Sequence, residues 1–497
     1  MKKTTRKALL LILALLLSAC GLLSCGNGDD PSGETTPPSS TGGEEENGDY
    51  DANGYLKDHL PDDLSYDEDI LVLGWNTDIE GIQEFGSDGT STDEIDLAVY
   101  TRDQRVQTRL DVTLKYTTVV GSNGQENSFM QSLQNVVSGG DYFDFVGAYT
   151  RTSAVCAAAG LYRDLSNIEG SYLDFEMPWW NQSLIEETRI GDTFYLCTGD
   201  ISPLFIQMVY CVYFNADLFT DYGLESPYDL VEANEWTLER MIELGQGFYS
   251  DVNNSQTVDA VDRIPMVGSY WDWPALLHGC DVPWIIRDET GTLTVNPDCY
   301  MEKGLDVMEQ LLDFVQVDQA YVGDGVTENF VSGLSLMMLA HHGTASMQFG
   351  EVTFEYGCVP TPKYDSAQSQ YYSTVRQPIS MFGIPGAVPE DRLAMDTAVL
   401  EALASAGYRT TTPVVFEKIM QYQTSASPEM TEMLSLIRET QIFDFGRIYT
   451  RELGSYCDEP GAFIRDNRPW TEFRPQAEQM QTLLEEFIRK IQTGTYA

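Results

Sequence analysis

The sequence predicts an α/β protein with two domains and mostly parallel β-sheets. Between residues 70 and 148, apolar runs that suit strands alternate with stretches whose apolar residues recur at helical spacing. This alternation is typical of βαβ units. Roughly 445 residues follow a polar N-terminal segment, which is more than one hydrophobic core usually holds. Hydrophobic residues make up 42% of the chain and aromatic residues 11%, as expected for a well-packed globular protein.

The first domain is predicted to begin with three strands separated by two helices. The continuous apolar run at 70–74 indicates a strand that is buried on both faces. Residues 91–94 read Ser-Thr-Asp-Glu, which fits a capping box at the start of a helix. Alternation at 112–116 predicts the second strand, and 143–148 suits the third. The helical pattern between these two strands ends at a pair of glycines.

A second region of different composition begins near Val209, where a long β-prone run covers residues 209–214. The chain after it is predicted to be largely helical, with a further strand at 336–339. Helices are expected to start at Trp236-Thr237, Asn296-Pro297 and Ser427-Pro428, because these pairs suit helix N-termini. The last helix is expected over 475–492, with Gly494 at its C-terminal end.

The N-terminus predicts export and attachment to a membrane. Four basic residues precede an apolar run at 8–17, which is too short to span a bilayer and suits a secretory signal peptide. Residues 17–21 read Leu-Ser-Ala-Cys-Gly and resemble the lipobox of bacterial lipoproteins. This resemblance implies a signal peptide at 1–19 and a lipid on Cys20, which would hold the protein on the outer face of the cell membrane. Cys25 is a second candidate, and an ordinary signal peptide with an incidental cysteine is the alternative.

Residues 20–54 are predicted to be a disordered acidic tether, since their Gly, Ser, Thr, Pro, Asp and Glu residues have little to bury. The net charge is −48, from 29 Lys and Arg against 77 Asp and Glu. Such a charge repels nucleic acid and anionic lipid headgroups, so we expect no nucleic-acid partner. It also makes a lipid anchor more useful than electrostatic attachment to a membrane.

The seven cysteines after Cys25 are widely spaced, odd in number and without a CxxC pair. This pattern does not suit a disulfide framework or a zinc site. We interpret most of them as small buried apolar residues. A disulfide between Cys280 and Cys299 is left open by the sequence.

Seven short segments follow one another in an order typical of one family. They are 161–165 (LYRDL), 178–181 (PWWN), 194–200 (FYLCTGD), 213–219 (YFNADLF), 223–228 (GLESPY), 235–237 (EWT) and 330–347, which begins FVSG. In this order and spacing the chain resembles the extracellular solute-binding proteins of family 1, the carbohydrate-binding components of ABC importers. The likeness covers nearly all of the chain after the tether.

The resemblance implies an α/β, two-lobe, periplasmic-binding-protein-like fold of type II, in which hinge strands between the lobes allow closure on a sugar. Lobe I would comprise 55–208 and 360–409, and lobe II would comprise 209–359 and 410–497. The chain would cross between lobes near 208–212, 358–362 and 407–413. The protein would be a monomer that performs no chemistry, and its partners would be a carbohydrate ligand and the permease subunits of an ABC importer.

Candidate ligand-binding residues follow from the chemistry of sugars. Aromatic rings cover the C–H faces of a sugar, and Asp, Asn and Arg side chains bind its hydroxyls. Loop positions and strand ends favour binding over packing, although any single Trp could instead pack in the core and any Arg or Asp could form a surface ion pair. The candidates are Trp75, Asn76, Tyr149, Arg151, Trp179, Trp180, Asp200, Trp271, Trp273, Arg376 and His341, the last where the family often has a tryptophan.

One loop has the spacing of a calcium-binding loop. Oxygen donors occupy positions 1, 3, 5, 9 and 12 of residues 251–262. They are Asp251, Asn253, Ser255, Asp259 and Asp262. Gln256 stands where such loops have glycine, so a polar loop without calcium is the alternative. The adjacent His341 and His342 would point to opposite faces of a strand, which argues against a shared metal ion.

Two other functions compete with sugar delivery. A lipid-anchored glycoside hydrolase would need two carboxylates on either side of the scissile bond, and the many acidic residues leave this open. A receptor for a peptide or another non-sugar ligand could use the same scaffold. The chain contains no HExxH or GxSxG motif, so zinc protease and serine hydrolase functions lose support.

Overall fold

The computed structural model describes residues 49–77, 81–350, 352–421 and 428–495. The predicted signal peptide, Cys20, Cys25 and most of the tether lie outside the described residues. Residues Asp51–Ala497 form one compact unit. Within the described ranges, no helix combines the length and apolar character needed to cross a membrane.

The strands are numbered in chain order. Their bounds are β1 Glu68–Trp75, β2 Val112–Val119, β3 Phe145–Tyr149, β4 Tyr210–Asn215, β5 Ile264–Gly268, β6 Ile285–Arg287, β7 Leu293–Val295, β8 Tyr321–Val322, β9 Ser335–His341, β10 Tyr356–Pro360, β11 Ser373–Thr374, β12 Ser380–Gly383 and β13 Gln441–Ile442.

The α-helices in the described residues are numbered in the same way. They are α1 Glu94–Leu110, α2 Glu126–Ser138, α3 Thr150–Ala158, α4 Gln182–Thr188, α5 Pro203–Gln207, α6 Ala216–Tyr222, α7 Pro227–Glu232, α8 Leu238–Gly245, α9 Pro274–Gly279, α10 Glu302–Gln316, α11 Val326–Val331, α12 Leu393–Ala406, α13 Thr412–Gln421, α14 Pro428–Glu439, α15 Phe445–Ile448, α16 Pro460–Arg465 and α17 Arg474–Thr493.

The first sheet has the strand order β12-β3-β1-β2. Strand β1 pairs in parallel with β2 and with β3, whereas β12 runs antiparallel to β3. Helix α1 packs on β2, α3 packs on β3 and β12, and α12 packs on α1. We call this sheet with its helices the first lobe. Its strands follow the predicted βαβ pattern, with β3 buried throughout and the edge strand β2 exposed on one face.

The second sheet has the order β10-β4-β9-β5-β8. Strands β4 and β10 are antiparallel to their neighbours, and β9, β5 and β8 are parallel to one another. Helices α8 and α11 pack on β5, and α14 packs on β10. We call this sheet with its helices the second lobe. The prediction of mostly parallel sheets therefore fits the first sheet better than the second.

Three connections join the lobes. The first leads through α5 to β4, and the second leads from β10 to β12 through β11, with Val209 and Val375 of these two connections paired by an antiparallel bridge. The third leads from α12 through a π-helical turn at Gly407–Thr411 into α13, which contacts both α1 and the π-helical turn at Ala345–Phe349. The domain bounds stated above stay a prediction.

Most predicted elements are present, with two corrections at helix starts. Strands β1, β4 and β9 and helix α17 lie where the sequence predicts them, and Gly494 ends α17 in the left-handed conformation. The first helix is capped by Asp93, whose carboxylate accepts from the amides of Ile95 and Asp96, so Ser91 is not its N-cap. The pair Asn296-Pro297 starts a short 3₁₀ turn, and α10 begins only at Glu302.

The seven cysteines of the described chain are all buried and unbridged. The interpretation of these residues as small apolar core residues is confirmed. Burial raises the pKa of the Cys156 thiol to about 12, which keeps it protonated and unreactive.

A candidate ligand-binding cleft between the lobes

A cavity of about 270 Å³ opens between the two lobes at the carboxyl ends of parallel strands. In α/β sheets this edge is the usual place for a ligand. From the first lobe, Ser122 and Asn123 line it shortly after β2, Tyr149 is the last residue of β3, and Arg151 lies in the first turn of α3.

The second lobe and the C-terminal part of the chain complete the cavity wall. Tyr210, the first residue of β4, pairs with His341, the last residue of β9. Trp271 and Pro274 follow β5. The remaining lining residues come from the second connection and from the segment around α15. They are Arg376, Gln377, Pro378, Arg447, Cys457 and Asp458.

The indole of Trp271 is the exposed aromatic surface of this cavity. Its side chain is 46% exposed, and its ring stands edge-on to Tyr270 at a centroid distance of 4.6 Å. The backbone oxygen of Trp271 accepts from the hydroxyl of Tyr210 at 3.1 Å, which fixes the loop that carries it. An exposed ring on a held loop can cover the apolar face of a small ligand.

Charged side chains line the same cavity. Arg151 donates to the carboxylate of Asp458 at 2.7 Å and to Asn123 Oδ1 at 3.1 Å. Arg376 Nε lies 3.8 Å from Asp272 Oδ1. Burial raises the pKa of both carboxylates, and the nearby arginines oppose that rise. Burial also raises the pKa of the Tyr149 hydroxyl to about 12, so it stays a neutral donor and acceptor.

Solved structures with this arrangement of lobes share a low sequence identity with the chain. UgpB from Mycobacterium tuberculosis in complex with glycerophosphocholine is 15% identical, with a TM-score of 0.54 over 84% of this chain and 98% of that one. A cyclo/maltodextrin-binding protein complexed with maltotetraose is 11% identical, with a TM-score of 0.55 over 85% and 97%. The ABC substrate-binding protein Lmo0181 from Listeria monocytogenes in complex with cycloalternan is 13% identical, with a TM-score of 0.50 over 86% and 99%.

The chain has the substrate-binding-protein fold. The predicted fold class, α/β with two lobes joined by hinge segments, is thereby confirmed. No known family model matches the chain, and no curated protein matches it by sequence.

Within this substrate-binding fold, four of the predicted ligand-binding residues line the cavity between the lobes. They are Tyr149, Arg151, Trp271 and Arg376. Sequence reasoning missed Tyr210, Gln377, Arg447 and Asp458. Gln377 is adjacent to a predicted residue, and Tyr210 is in a predicted strand. Nothing in the sequence near Arg447 or Asp458 indicates that the C-terminal segment returns to the cleft.

The position of Trp179 and Trp180 corrects the expectation that they line the cleft. Both rings are buried in the first lobe, and their Nε1 atoms donate to the two carboxylate oxygens of Glu401, each at 2.8 Å. Burial raises the pKa of Glu401 to about 7, and the two indoles oppose that rise. The Pro-Trp-Trp-Asn segment therefore fastens the loop before α4 to α12.

Trp75 and Trp273 are also core residues rather than stacking platforms. Trp75 Nε1 donates to Ser380 Oγ at 2.8 Å and Trp273 Nε1 donates to the backbone oxygen of Gly268 at 3.2 Å. Both rings are fully buried. Asn76 is exposed, and its amide extends the β1–β2 ladder by donating to Val119. Asn76 does not line the cavity between the lobes.

Asp200 and His341 lie close to the connections between the lobes, outside the cavity lining. Asp200 is buried and accepts from Thr412 Oγ1 at 2.9 Å and from Arg438 at 3.2 Å. His341 is buried, with Nδ1 3.2 Å from the backbone oxygen of Gln207, and burial lowers its pKa to about 3. Both residues thus stabilise connecting segments in this structure.

The loop at 251–262, with the spacing of a calcium-binding loop, is held by its own hydrogen bonds. Asp251 accepts from the amides of Ser255 and Gln256, and the buried carboxylate of Asp262 accepts from the amides of Val252 and Asp259. The described residues include no group of three or more His, Cys, Asp or Glu that could hold a metal ion. Its carboxylates bind the loop's own amides in this structure, and calcium binding at this loop stays a prediction.

Proposed function

We propose that this protein is an extracellular solute-binding protein that captures a carbohydrate between its lobes and delivers it to an ABC importer. The observation that carries the proposal is the cleft itself. An exposed indole, Trp271, shares the cavity with arginine, carboxylate, amide and phenol groups at the carboxyl ends of strands from both lobes. Two solved structures with the same fold are complexes with maltotetraose and with cycloalternan.

The groups on the cavity wall suit a sugar better than an apolar ligand. A sugar ring presents C–H groups on its faces, which the Trp271 ring can cover, and hydroxyls at its edge, which Arg151, Gln377 and Asp458 can bind. The hinge segments that carry Arg376 and Gln377 run between the lobes, so a ligand held by both walls would favour the closed arrangement.

The cavity favours binding over hydrolysis. A glycoside hydrolase needs a pair of carboxylates placed on either side of the scissile bond. Asp458 is the single carboxylate among the described residues that line this cavity, and it is held by Arg151. A peptide ligand would need hydrogen-bond partners for its backbone amide groups. The exposed indole of Trp271 favours a sugar instead.

The lipid anchor and the permease are parts of the same proposal. A diacylglycerol on Cys20 would hold the protein at the outer face of the membrane, and the polar tether would let the lobes reach the importer. We propose that the protein acts as a monomer, since one chain supplies all walls of the cavity.

Isothermal titration and thermal unfolding with a panel of neutral and acidic sugars test the proposal. A sugar present at 100 times its Kd should raise the free energy of unfolding by about 2.7 kcal/mol. Replacing Trp271 with Ala should weaken binding about 30-fold, because truncating a central aromatic contact costs on the order of 2 kcal/mol. Stability should change by less than about 0.5 kcal/mol, since the ring is half exposed.

Tyr222→Ala is the matched control, because Tyr222 is a similarly exposed aromatic that packs against Phe248 outside the cavity. Its sugar affinity should equal that of the unaltered protein. Turnover of any sugar in the same samples would favour the hydrolase, and equal losses in both variants would remove Trp271 from the site.

A further inference from the structure

We infer that the ligand of this cleft is an acidic carbohydrate, one that carries a carboxylate or sulfate group, and that Arg447 binds the acidic group. This inference rests on the proposed function. It starts from a contrast in charge. Acidic residues outnumber basic ones by 77 to 29 in the whole chain, whereas the charged residues described as lining the cavity are Arg151, Arg376, Arg447 and Asp458.

Ion pairs account for part of this positive charge. Arg151 is paired with Asp458 at 2.7 Å, and Arg376 Nε lies 3.8 Å from Asp272. Nearby, Arg451 is paired with Glu126 at 2.9 Å. These three pairs leave Arg447 as the arginine of the cleft for which the described chain shows no ion pair.

The guanidinium of Arg447 is both buried and incompletely satisfied. Its residue is only 7% exposed, and its Nη1 has no hydrogen-bond partner in the described chain. Its Cζ lies 5.7 Å from the centre of the Tyr210 ring. A buried guanidinium cannot lose its charge. Arg447 opposes the rise in the pKa of Asp458, but that carboxylate is already paired with Arg151, so the charge of Arg447 is only partly balanced. An anionic group of a ligand would therefore be stabilised here more than a hydroxyl.

The backbone of Arg447 is held by Asp444, just before α15, and by Gln377 of the second connection. Asp444 accepts from its amide at 2.8 Å, and Gln377 Nε2 donates to its carbonyl oxygen at 2.8 Å. These contacts fix the backbone of Arg447, and the residue lines the cavity, as do Arg376 and Gln377 of the hinge segment. A planar guanidinium held in this way suits bidentate binding of a carboxylate or sulfate, while Trp271 covers the sugar ring.

Matched pairs of ligands test the inference by isothermal titration. One pair is digalacturonate and its methyl ester, and the other is a 6-sulfated disaccharide and the same disaccharide without sulfate. The acidic member of one pair should bind at least about 10-fold more tightly than its neutral counterpart, since a hydrogen bond to a charged group contributes more than a neutral one. The pair that responds distinguishes a carboxylate from a sulfate ligand.

Arg447→Gln should reduce binding of the acidic sugar about 10- to 100-fold and leave neutral sugars nearly unchanged. Arg474→Gln is the charge-matched control, because Arg474 lies at the surface in a pair with Glu478, and its affinity should be unaltered. Because Arg447 is buried, the charge-preserving variant Arg447→Lys is measured together with Arg447→Gln. Inorganic sulfate is tested as a competitor with the unaltered protein. Competition by sulfate supports the inference without any substitution.

The outcomes separate the inference from the proposed function. Equal affinity for both members of each pair, with no competition by sulfate, would overturn the acidic ligand and keep sugar binding. Binding of no sugar in either form would overturn the proposed function and the inference together.

Discussion

Single residues show how similar sequence contexts lead to different roles. Trp179 and Trp271 both lie in turn-rich segments within two residues of a second tryptophan. Trp179 Nε1 reaches a buried acceptor, Glu401, and its ring belongs to the core, whereas the Trp271 ring is 46% exposed in the cleft. An indole becomes a core residue where the tertiary structure supplies an acceptor for its N–H group.

Trp179→Phe should destabilise the fold and leave ligand affinity unchanged. The substitution removes one of the two indole donors from the buried carboxylate of Glu401, and leaving a buried polar group unsatisfied costs about 1–3 kcal/mol. The midpoint of urea unfolding measures this loss. Trp271→Phe is the control, with stability within about 0.5 kcal/mol of the unaltered protein. A weakened ligand affinity at unchanged stability would return Trp179 to the binding site.

At the scale of elements, the third connection is fastened to the first lobe by close backbone packing. The turn at Gly407–Thr411 follows α12 and passes over the loop that carries Asp200. Asp200 in turn accepts from Thr412 at the start of α13 and from Arg438 in α14. One buried carboxylate thus joins α13 of the connection and α14 of the second lobe to the loop that precedes α5.

Gly407→Ala should destabilise the protein by about 1–3 kcal/mol, the usual cost of overpacking. A Cβ at this position would lie 2.1 Å from the backbone oxygen of Asp200, which is too close without a shift of the backbone. The thermal midpoint of unfolding measures the effect. Gly386→Ala is the matched control, because its nearest neighbour would be 3.8 Å away. Equal midpoints for the two variants would show that the connection can move aside.

For the whole molecule, the net charge of −48 affects how the protein can be held at a membrane. A strongly acidic surface is repelled by anionic lipid headgroups, so the folded part has no electrostatic attraction to such a membrane. Attachment would then depend on the lipid alone, since two acyl chains are enough for a stable anchor.

Cys20→Ser should therefore release the protein from the membrane fraction into the medium. Fractionation and immunoblotting of cells measure the distribution. Cys25→Ser is the matched control and should remain with the membrane. The reverse result would make Cys25 the lipidated residue, and retention of both variants would contradict the lipid anchor.

The sequence by itself determined the elements whose patterns are local. The apolar runs of β1, β4 and β9 and the apolar stripe of α17 were predictable. Apolar residues recur along a helix or strand with the period at which its backbone turns side chains toward the core. Tyr149 and Arg151 were also predictable as cleft residues, since they lie at the carboxyl end of a predicted parallel strand.

The tertiary structure alone decided which polar groups meet. Asp458 pairs with Arg151 across 307 positions of the chain, and Glu401 accepts from Trp179 across 222. No local pattern encodes such partners, because hydrogen bonds between distant segments depend on how the lobes and the C-terminal segment pack. Local sequence patterns therefore predicted the strand ends at the cleft, whereas its ion pairs and the burial of the other tryptophans depend on long-range contacts.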